Sequence, residues 1–367
     1  MQSKGEVISP NRRNYLDWMR GLAVLIMIEA HVVDAWTRTS DRRGIGFRNA
    51  IILGGFGAPL FLFLAGVAVV LAAESRHQRF GSPERAAAAT RRRGWEIFGL
   101  AFLFRLQAYL LSPGATLWGI LKVDILNIMG PAIVAGATIW QYARTRRNRL
   151  MAFAVATVAL SMATPLVRTT GWLDPLPDPI EWYFRPAPGR TTFTVFPWAG
   201  FVMAGALAGL FLESASERKS ESPVMAGIGT AGVLLGAAGY GASLLPPIYE
   251  NSSFWTSSPT FFFLRIGVLL VLIPVAWLWY QRHPFFPRLG RPLEVFGRSS
   301  LFVYWIHVEM VYGFVSRPLH RMLTLWGSLA ACAAFTAFLY GLVLLKNRFV
   351  ARPRQTAKPI AEGLAET

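Results

Sequence analysis

Ile51-Ile-Leu-Gly-Gly-Phe-Gly-Ala-Pro-Leu-Phe-Leu-Phe-Leu-Ala-Gly-Val-Ala-Val-Val-Leu-Ala-Ala73 contains no charged residue. A run of about 18 or more apolar residues is long enough, as a helix, to cross the hydrocarbon core of a bilayer. Ile266–Tyr280 and Met322–Leu345 are uncharged blocks of the same kind. Across the 367 residues, 53% are hydrophobic and only 16% charged, and the mean hydropathy is +0.39. Soluble domains carry about 25% charged residues. The sequence therefore excludes a soluble enzyme, a disordered tail and a secreted disulfide scaffold. It predicts an all-α polytopic membrane protein.

Working outward from that block, ten spans are expected near residues 15–36, 49–73, 94–112, 122–142, 150–167, 195–212, 224–245, 259–280, 299–315 and 322–345. The net charge of +17 follows topology rather than nucleic acid. With the N-terminus inside, cytoplasmic segments hold 24 of the 37 Lys and Arg and the opposite side holds 10; Arg20, Arg105 and Arg265 lie within spans. That bias predicts N-in and C-in. The loop Thr37–Arg48 dissents, with four arginines on the outer side. The first block follows a basic N-terminus but holds Asp17, Arg20, Glu29 and His31, so it is expected to stay as the first helix rather than be cleaved. One transmembrane domain over residues 1–345 and a cytoplasmic tail over 346–367 are expected. The single cysteine, Cys332, sits among alanines and reads as a small residue at a helix contact.

The first block, Tyr15-Leu-Asp-Trp-Met-Arg-Gly-Leu-Ala-Val-Leu-Ile-Met-Ile-Glu-Ala-His31-Val-Val-Asp34, carries the chemistry. Ionisable groups in a span are costly and normally face a cavity or the bundle interior. At about 100° per residue, Arg20 and His31 fall within about 20° of each other, and Asp17 and Asp34 within about 60° of the same line. Along the axis Arg20 and His31 are roughly 16 Å apart. A histidine suits general-base work near neutral pH, and Asp34 one turn on could orient its ring. Arg20 is an anchor for a carboxylate or phosphate. The alternative is a polar clasp that only locks the bundle. Glu29 lies on another face and is expected to pair with a neighbouring helix.

These residues resemble the transmembrane acyltransferase superfamily. Leu16-Asp17-x-x-Arg20-Gly21 followed by His31 is similar to the start of acyltransferase family three, with its Arg/Lys-x10-His signature. It is also similar to the heparan-α-glucosaminide N-acetyltransferase-like branch. Gly57-Ala-Pro-Leu-Phe-Leu-Phe-Leu-Ala-Gly66, Val123-Asp124-Ile-Leu-Asn-Ile-Met-Gly130 and Phe196-Pro-Trp198-x-Gly-Phe-x-x-x-Gly205 look like later family elements. So does Gly297-Arg298-Ser-Ser-Leu-Phe-Val-Tyr304-Trp-Ile-His307-x-Glu309. The resemblance implies transfer of an acyl group, usually acetyl from acetyl-CoA, to an amine or hydroxyl across the membrane. It makes acetyl-CoA the co-substrate, entering a cytoplasmic mouth at Arg20 with Asp17 and either Arg298 or the loop arginines, and His31 the base. In the heparan-type enzymes the catalytic histidine lies in the outer loop after the first catalytic helix, with asparagine in the place of His31. Here Thr37–Arg48 has no histidine, and His31 follows the family-three pattern.

His307 and Tyr304, one turn apart, are candidates for a second polar site, as is Asp124, which could instead pair with Lys122 at the outer surface. Arg105, Gln107 and Arg265 are expected to find partners such as Glu96 or Glu309. His77, His283 and His320 fall in expected loops and read as solvated. The outer stretch Gly171–Arg185 mixes aromatics with acids, which suits a carbohydrate acceptor or an interfacial aromatic belt. No His, Asp or Glu set has metal-ligand spacing, so no metal is expected. The expected partners are membrane lipids and a small-molecule or carbohydrate acceptor, not nucleic acid, with a homo-oligomer or neighbours in a membrane complex possible in principle. The expected location is a bacterial cytoplasmic (inner) membrane. A noncatalytic subunit of a larger membrane complex, or a transporter, would also fit buried charges. A transporter should show two related halves with broken helices, and none is visible.

Overall fold

The computed structural model describes residues 13–111, 116–216, 221–282 and 286–350. Among these residues the chain is helical throughout, with no strand beyond isolated bridges at Thr37–Leu323 and Val123–Thr191. The helices are α1 (Asn14–Trp36), α2 (Ile45–Gly54), α3 (Gly57–Phe80), α4 (Pro83–Leu111), α5 (Ile125–Tyr142), α6 (Arg146–Thr169) and α7 (Asp178–Glu181). They continue with α8 (Val195–Ser216), α9 (Ser222–Ser243), α10 (Pro259–Arg282), α11 (Phe286–Arg298), α12 (Ser300–Tyr312) and α13 (Leu325–Val350).

Among the described residues six stretches are long and apolar enough to span a membrane: Ile45–Phe80, Arg146–Thr169, Val195–Ala215, Ser222–Ser243, Pro259–Gln281 and Leu325–Val350. The chain is a multi-pass membrane protein. The other four expected spans fall on α1, α4, α5 and α12, which are helical but do not meet that measure. α1 carries Asp17, Arg20, Glu29 and Asp34. α12 has 13 residues, about 20 Å of helix against a core about 30 Å thick. α13 continues through Val350, past the expected start of the tail at 346. Residues 351–367, expected as a cytoplasmic tail, and His283 lie outside the described residues.

Local chemistry sets the helix ends. Asp124 caps α5, accepting from the Ile125 amide at 2.7 Å, while Asn127 closes the capping box. Thr145 caps α6 through the Asn148 amide at 3.1 Å. α3 stops at Gly81, whose φ of 66° needs a glycine. In the turn after α1, Asp41 accepts from the first amide of α13, Leu325, at 3.1 Å. Its hydrogen bond from Arg38 holds its carboxyl below the usual carboxylate range. The turn is thereby tied to α13.

The core forms where α1, α3, α5 and α8 meet, with Met19, Ile28, Leu62, Phe63 and Val202 essentially inaccessible. α1 is central and packs on α3, α11, α12 and α13. Its crossing with α11 is a backbone-to-backbone contact. A Cβ on Gly21 would lie 1.9 Å from the Leu293 carbonyl oxygen, and one on Gly297 would lie 1.9 Å from that of Asp17. Small residues at such crossings replace side-chain volume by close approach. Gly297→Ala is therefore expected to destabilise by about 1–3 kcal/mol or more, the cost of overpacking. Gly227→Ala, where a Cβ meets nothing within 4 Å, should be neutral or stabilising. Thermal unfolding of the two purified variants checks the contrast; equal midpoints would mean that the crossing can relax.

Candidate functional site

The Gly21–Gly297 crossing decides what lies at the end of the bundle where α1 begins. It brings Arg298 of α11 beside Asp17, whose carboxylate also receives Arg20, at 3.1 Å for Arg20 Nη1 and 3.7 Å for Arg298 Nε. Asp17 is only 6% exposed. Glu294 is a second partner of Arg298, at 3.5 Å. A cavity of about 460 Å³ opens here, lined by Arg20 and Arg298 together with Arg76, Arg93 and Lys346. Arg76 donates to Thr90 Oγ1 at 2.8 Å and Lys346 to Ser299 Oγ at 2.8 Å. Five cations thus line one mouth, hereafter the basic end. The sequence singled out Arg20 and Arg298; Arg76, Arg93 and Lys346 are separated from them by whole helices and arrive by packing.

Eleven residues along α1 from Arg20, His31 meets α12. His31 Nδ1 lies 3.0 Å from Nε2 of His307, and the rings stack at 5.1 Å with 13° between their planes. His307 is fully buried, and its Nδ1 lies 2.8 Å from the Val303 carbonyl oxygen. A carbonyl can only accept, so His307 Nδ1 carries the hydrogen and donates. In a neutral imidazole the other nitrogen is then an acceptor, so His31 Nδ1 must donate to His307 Nε2. The lone pair of His31 therefore sits on Nε2. A backbone carbonyl on α12 fixes the tautomer of a histidine on α1 through the ring between them. Tyr312 packs edge-on against His31 at 5.5 Å and Tyr304 edge-on against His307 at 5.8 Å.

The expectation that Asp34 orients His31 is corrected by this geometry. Asp34 is half exposed and its Oδ1 is held by Arg42 Nη2 at 2.7 Å, while Arg42 Nη1 caps its carbonyl at 2.5 Å. One of the four arginines of the loop Thr37–Arg48 supplies that partner. Asp124 does not form a surface pair with Lys122. It is buried, caps α5 and accepts from Arg105 in a short ion pair; Arg105 finds neither Glu96 nor Glu309. Glu96 instead pairs with Arg92 and Arg93 on the surface. Gln107 accepts from Trp305 Nε1 at 2.6 Å. Arg265 has no ion pair among the described residues and lies 3.9 Å over the Phe261 ring. Glu29 Oε2 is buried without a hydrogen-bond partner. His77 lies within α3 and packs against Trp140, and His320 reaches the Val311 carbonyl, so neither is a solvated loop residue.

His31, Tyr304, Tyr312, Asp124 and Trp198 open onto a second cavity, about 940 Å³ in volume. It lies toward the C-terminal end of α1. The stretch Gly171–Arg185 does not line it; Pro186, Thr192 and Phe193 just beyond do. Two of the three acids of that stretch are engaged, since Arg185 holds Asp174 at 2.7 Å and Glu181 at 2.8 Å. No group of three or more His, Cys, Asp or Glu that could hold a metal ion occurs among the described residues.

Residues 12–240 match the family described as heparan-alpha-glucosaminide N-acetyltransferase, catalytic. The chain belongs to that family. No curated protein matches it. The heparan-alpha-glucosaminide N-acetyltransferase match runs from the start of α1 into α9, taking in Asp17, Arg20, His31 and Asp124. Arg298, Tyr304 and His307 lie beyond it. Family membership makes the chain a membrane protein of acetyltransferase type.

Proposed function

We propose that this protein moves an acetyl group from cytoplasmic acetyl-CoA to an amine or hydroxyl of a carbohydrate-like acceptor on the other side of the membrane. The observation that carries the reading is the His31–His307 pair, with its basic nitrogen defined, on the helix that links a five-cation cavity to a larger aromatic one. CoA is polyanionic, and guanidinium forks suit its phosphates. The acceptor enters the larger cavity. His31 Nε2 takes the proton as the acceptor nitrogen or oxygen attacks the thioester carbonyl. The new C–N or C–O bond forms, the C–S bond breaks, and the imidazolium returns its proton to the departing thiolate. Holding both substrates in one water-poor space supplies much of the remaining acceleration.

The reading carries a topology: ten membrane-embedded helical segments, both termini cytoplasmic, and the basic end facing the cytoplasm of a bacterial inner membrane. Ser82→Cys and Thr170→Cys should then be labelled from opposite sides by an impermeant maleimide; labelling from one side overturns the arrangement. For the reaction, purified protein should release CoA from acetyl-CoA only when an amine or sugar acceptor is present. Absence of release with every acceptor would favour a noncatalytic subunit.

Arg20 gives a narrower check. Its planar fork bridges Asp17 and the cavity, so Arg20→Ala should weaken CoA binding by roughly tenfold or more, the worth of a charge-assisted contact. Arg20→Lys should fall between the two. Unchanged CoA affinity in Arg20→Ala, read by calorimetry, would leave Arg20 only the clasp on Asp17.

A further inference from the structure

The larger cavity contains more positive charge than its own residues neutralise. Arg105, Lys122, Arg168 and Arg265 line it, against a single lining carboxylate, Asp124. Arg105 already occupies that carboxylate. Arg168 and Arg265 have no ion pair among the described residues, and the Nε of each is buried without a hydrogen-bond partner. Two further acids stand close by without lining the cavity: Glu309, which acts electrostatically on Arg105, and Glu29, which sits against Gly54 as Arg265 sits against Gly55; neither forms an ion pair with Arg168 or Arg265 among the described residues. Both side chains are half-buried, and a guanidinium drawn part of the way out of water without a counter-ion carries a desolvation cost. Two left open toward one cavity indicate an anion that belongs there.

We propose that Arg168 and Arg265 bind an anionic group of the acceptor, a carboxylate or a phosphate or sulfate ester, and so hold its amine or hydroxyl at His31 Nε2. This names the acceptor class within the acyl-transfer reading and rests on it. Each guanidinium presents a planar fork that matches such a group through two parallel hydrogen bonds. Lys122 adds a third positive charge on the same wall. Trp198 and Trp255 line the cavity as well, giving apolar faces on which a sugar ring can lie. A neutral acceptor would leave both arginines unsatisfied, so the site discriminates against it.

Calorimetry on the purified full-length protein at fixed ionic strength, with glucosamine, glucosamine 6-phosphate, galacturonic acid and inorganic phosphate as probes, tests the assignment. The charged sugars should bind roughly tenfold or more tighter than glucosamine. Comparing the phosphate ester with the uronic acid identifies the preferred anion. Arg168→Gln and Arg265→Gln should each remove most of that preference, and Arg265→Lys should retain part of it. Arg168→Gln should not lower the unfolding temperature, because it removes a charge without an ion pair, and Arg265→Gln, which also gives up the contact over the Phe261 ring, should lower it only slightly. The preference should persist in His31→Ala, whose transfer is lost. Glucosamine binding as tightly as its phosphate, or a preference untouched by both Gln variants, would overturn the proposal. So would displacement of glucosamine 6-phosphate by CoA, which would assign the site to the donor. Anion binding without transfer in the wild type would overturn the acyl-transfer reading and leave the anion site standing.

Discussion

His31→Ala is expected to lower acetyl transfer by about 10²–10⁴-fold, the usual cost of losing a general base, while CoA should remain bound at the basic end. The two effects separate because the sites separate. Arg20 and His31 stand eleven residues apart on one helix, roughly 16 Å along its axis, and only the far one opens onto the larger cavity, proposed above for the acceptor. The pH profile has a definite sign. The reactive form of His31 is the neutral ring with its lone pair on Nε2, so the rate rises as the imidazole loses its proton and then levels. His31→Ala should lose that limb along with the turnover. Transfer by His31→Ala at near wild-type rate would move the base elsewhere, with His307 next in line.

Much of this arrangement is legible along single helices and little of it between them. Period alone places Asp17, Arg20 and His31 on one stripe of α1, and the structure puts the stripe between two cavities. Gly21 and Gly297 stand out in the sequence beside Arg20 and Arg298; the reason is that two backbones touch there and carry both arginines to Asp17. The bond between His31 and His307 joins residues 276 positions apart. Helical phase says which way a side chain faces on its own axis, not which helix it will meet. Asp34 shows the same blindness, since one-turn spacing points to His31 and the loop after α1 supplies Arg42 instead. Asp124 reads as a surface acid until Arg105 of α4 reaches it. In the sequence Arg265 reads only as an intramembrane arginine and Arg168 carries no signal; the cavity that both line is what brings them together.

His307→Leu should lower kcat by about 10²-fold or more, toward the roughly 10⁴ that a misassigned histidine tautomer can cost, with little change in KM for acetyl-CoA. His307 does not line the larger cavity and is fully buried; in the proposed reaction it is a positioning residue. Its Nδ1 is committed to the Val303 carbonyl and its Nε2 to His31, so its removal frees the His31 ring to rotate and to place its hydrogen on either nitrogen. Leucine fills the space but accepts no hydrogen bond. His307→Gln offers an amide oxygen to His31 Nδ1–H and should recover a substantial part of kcat, which a purely space-filling role would not allow. The pairing also predicts non-additivity. Once His31 is gone there is no ring left to orient, so His31→Ala/His307→Leu should be no slower than His31→Ala alone. Strictly multiplicative losses, or an unchanged kcat in His307→Leu, would show that the two histidines act independently and would return the hydrogen bond between them to the role of a structural clasp.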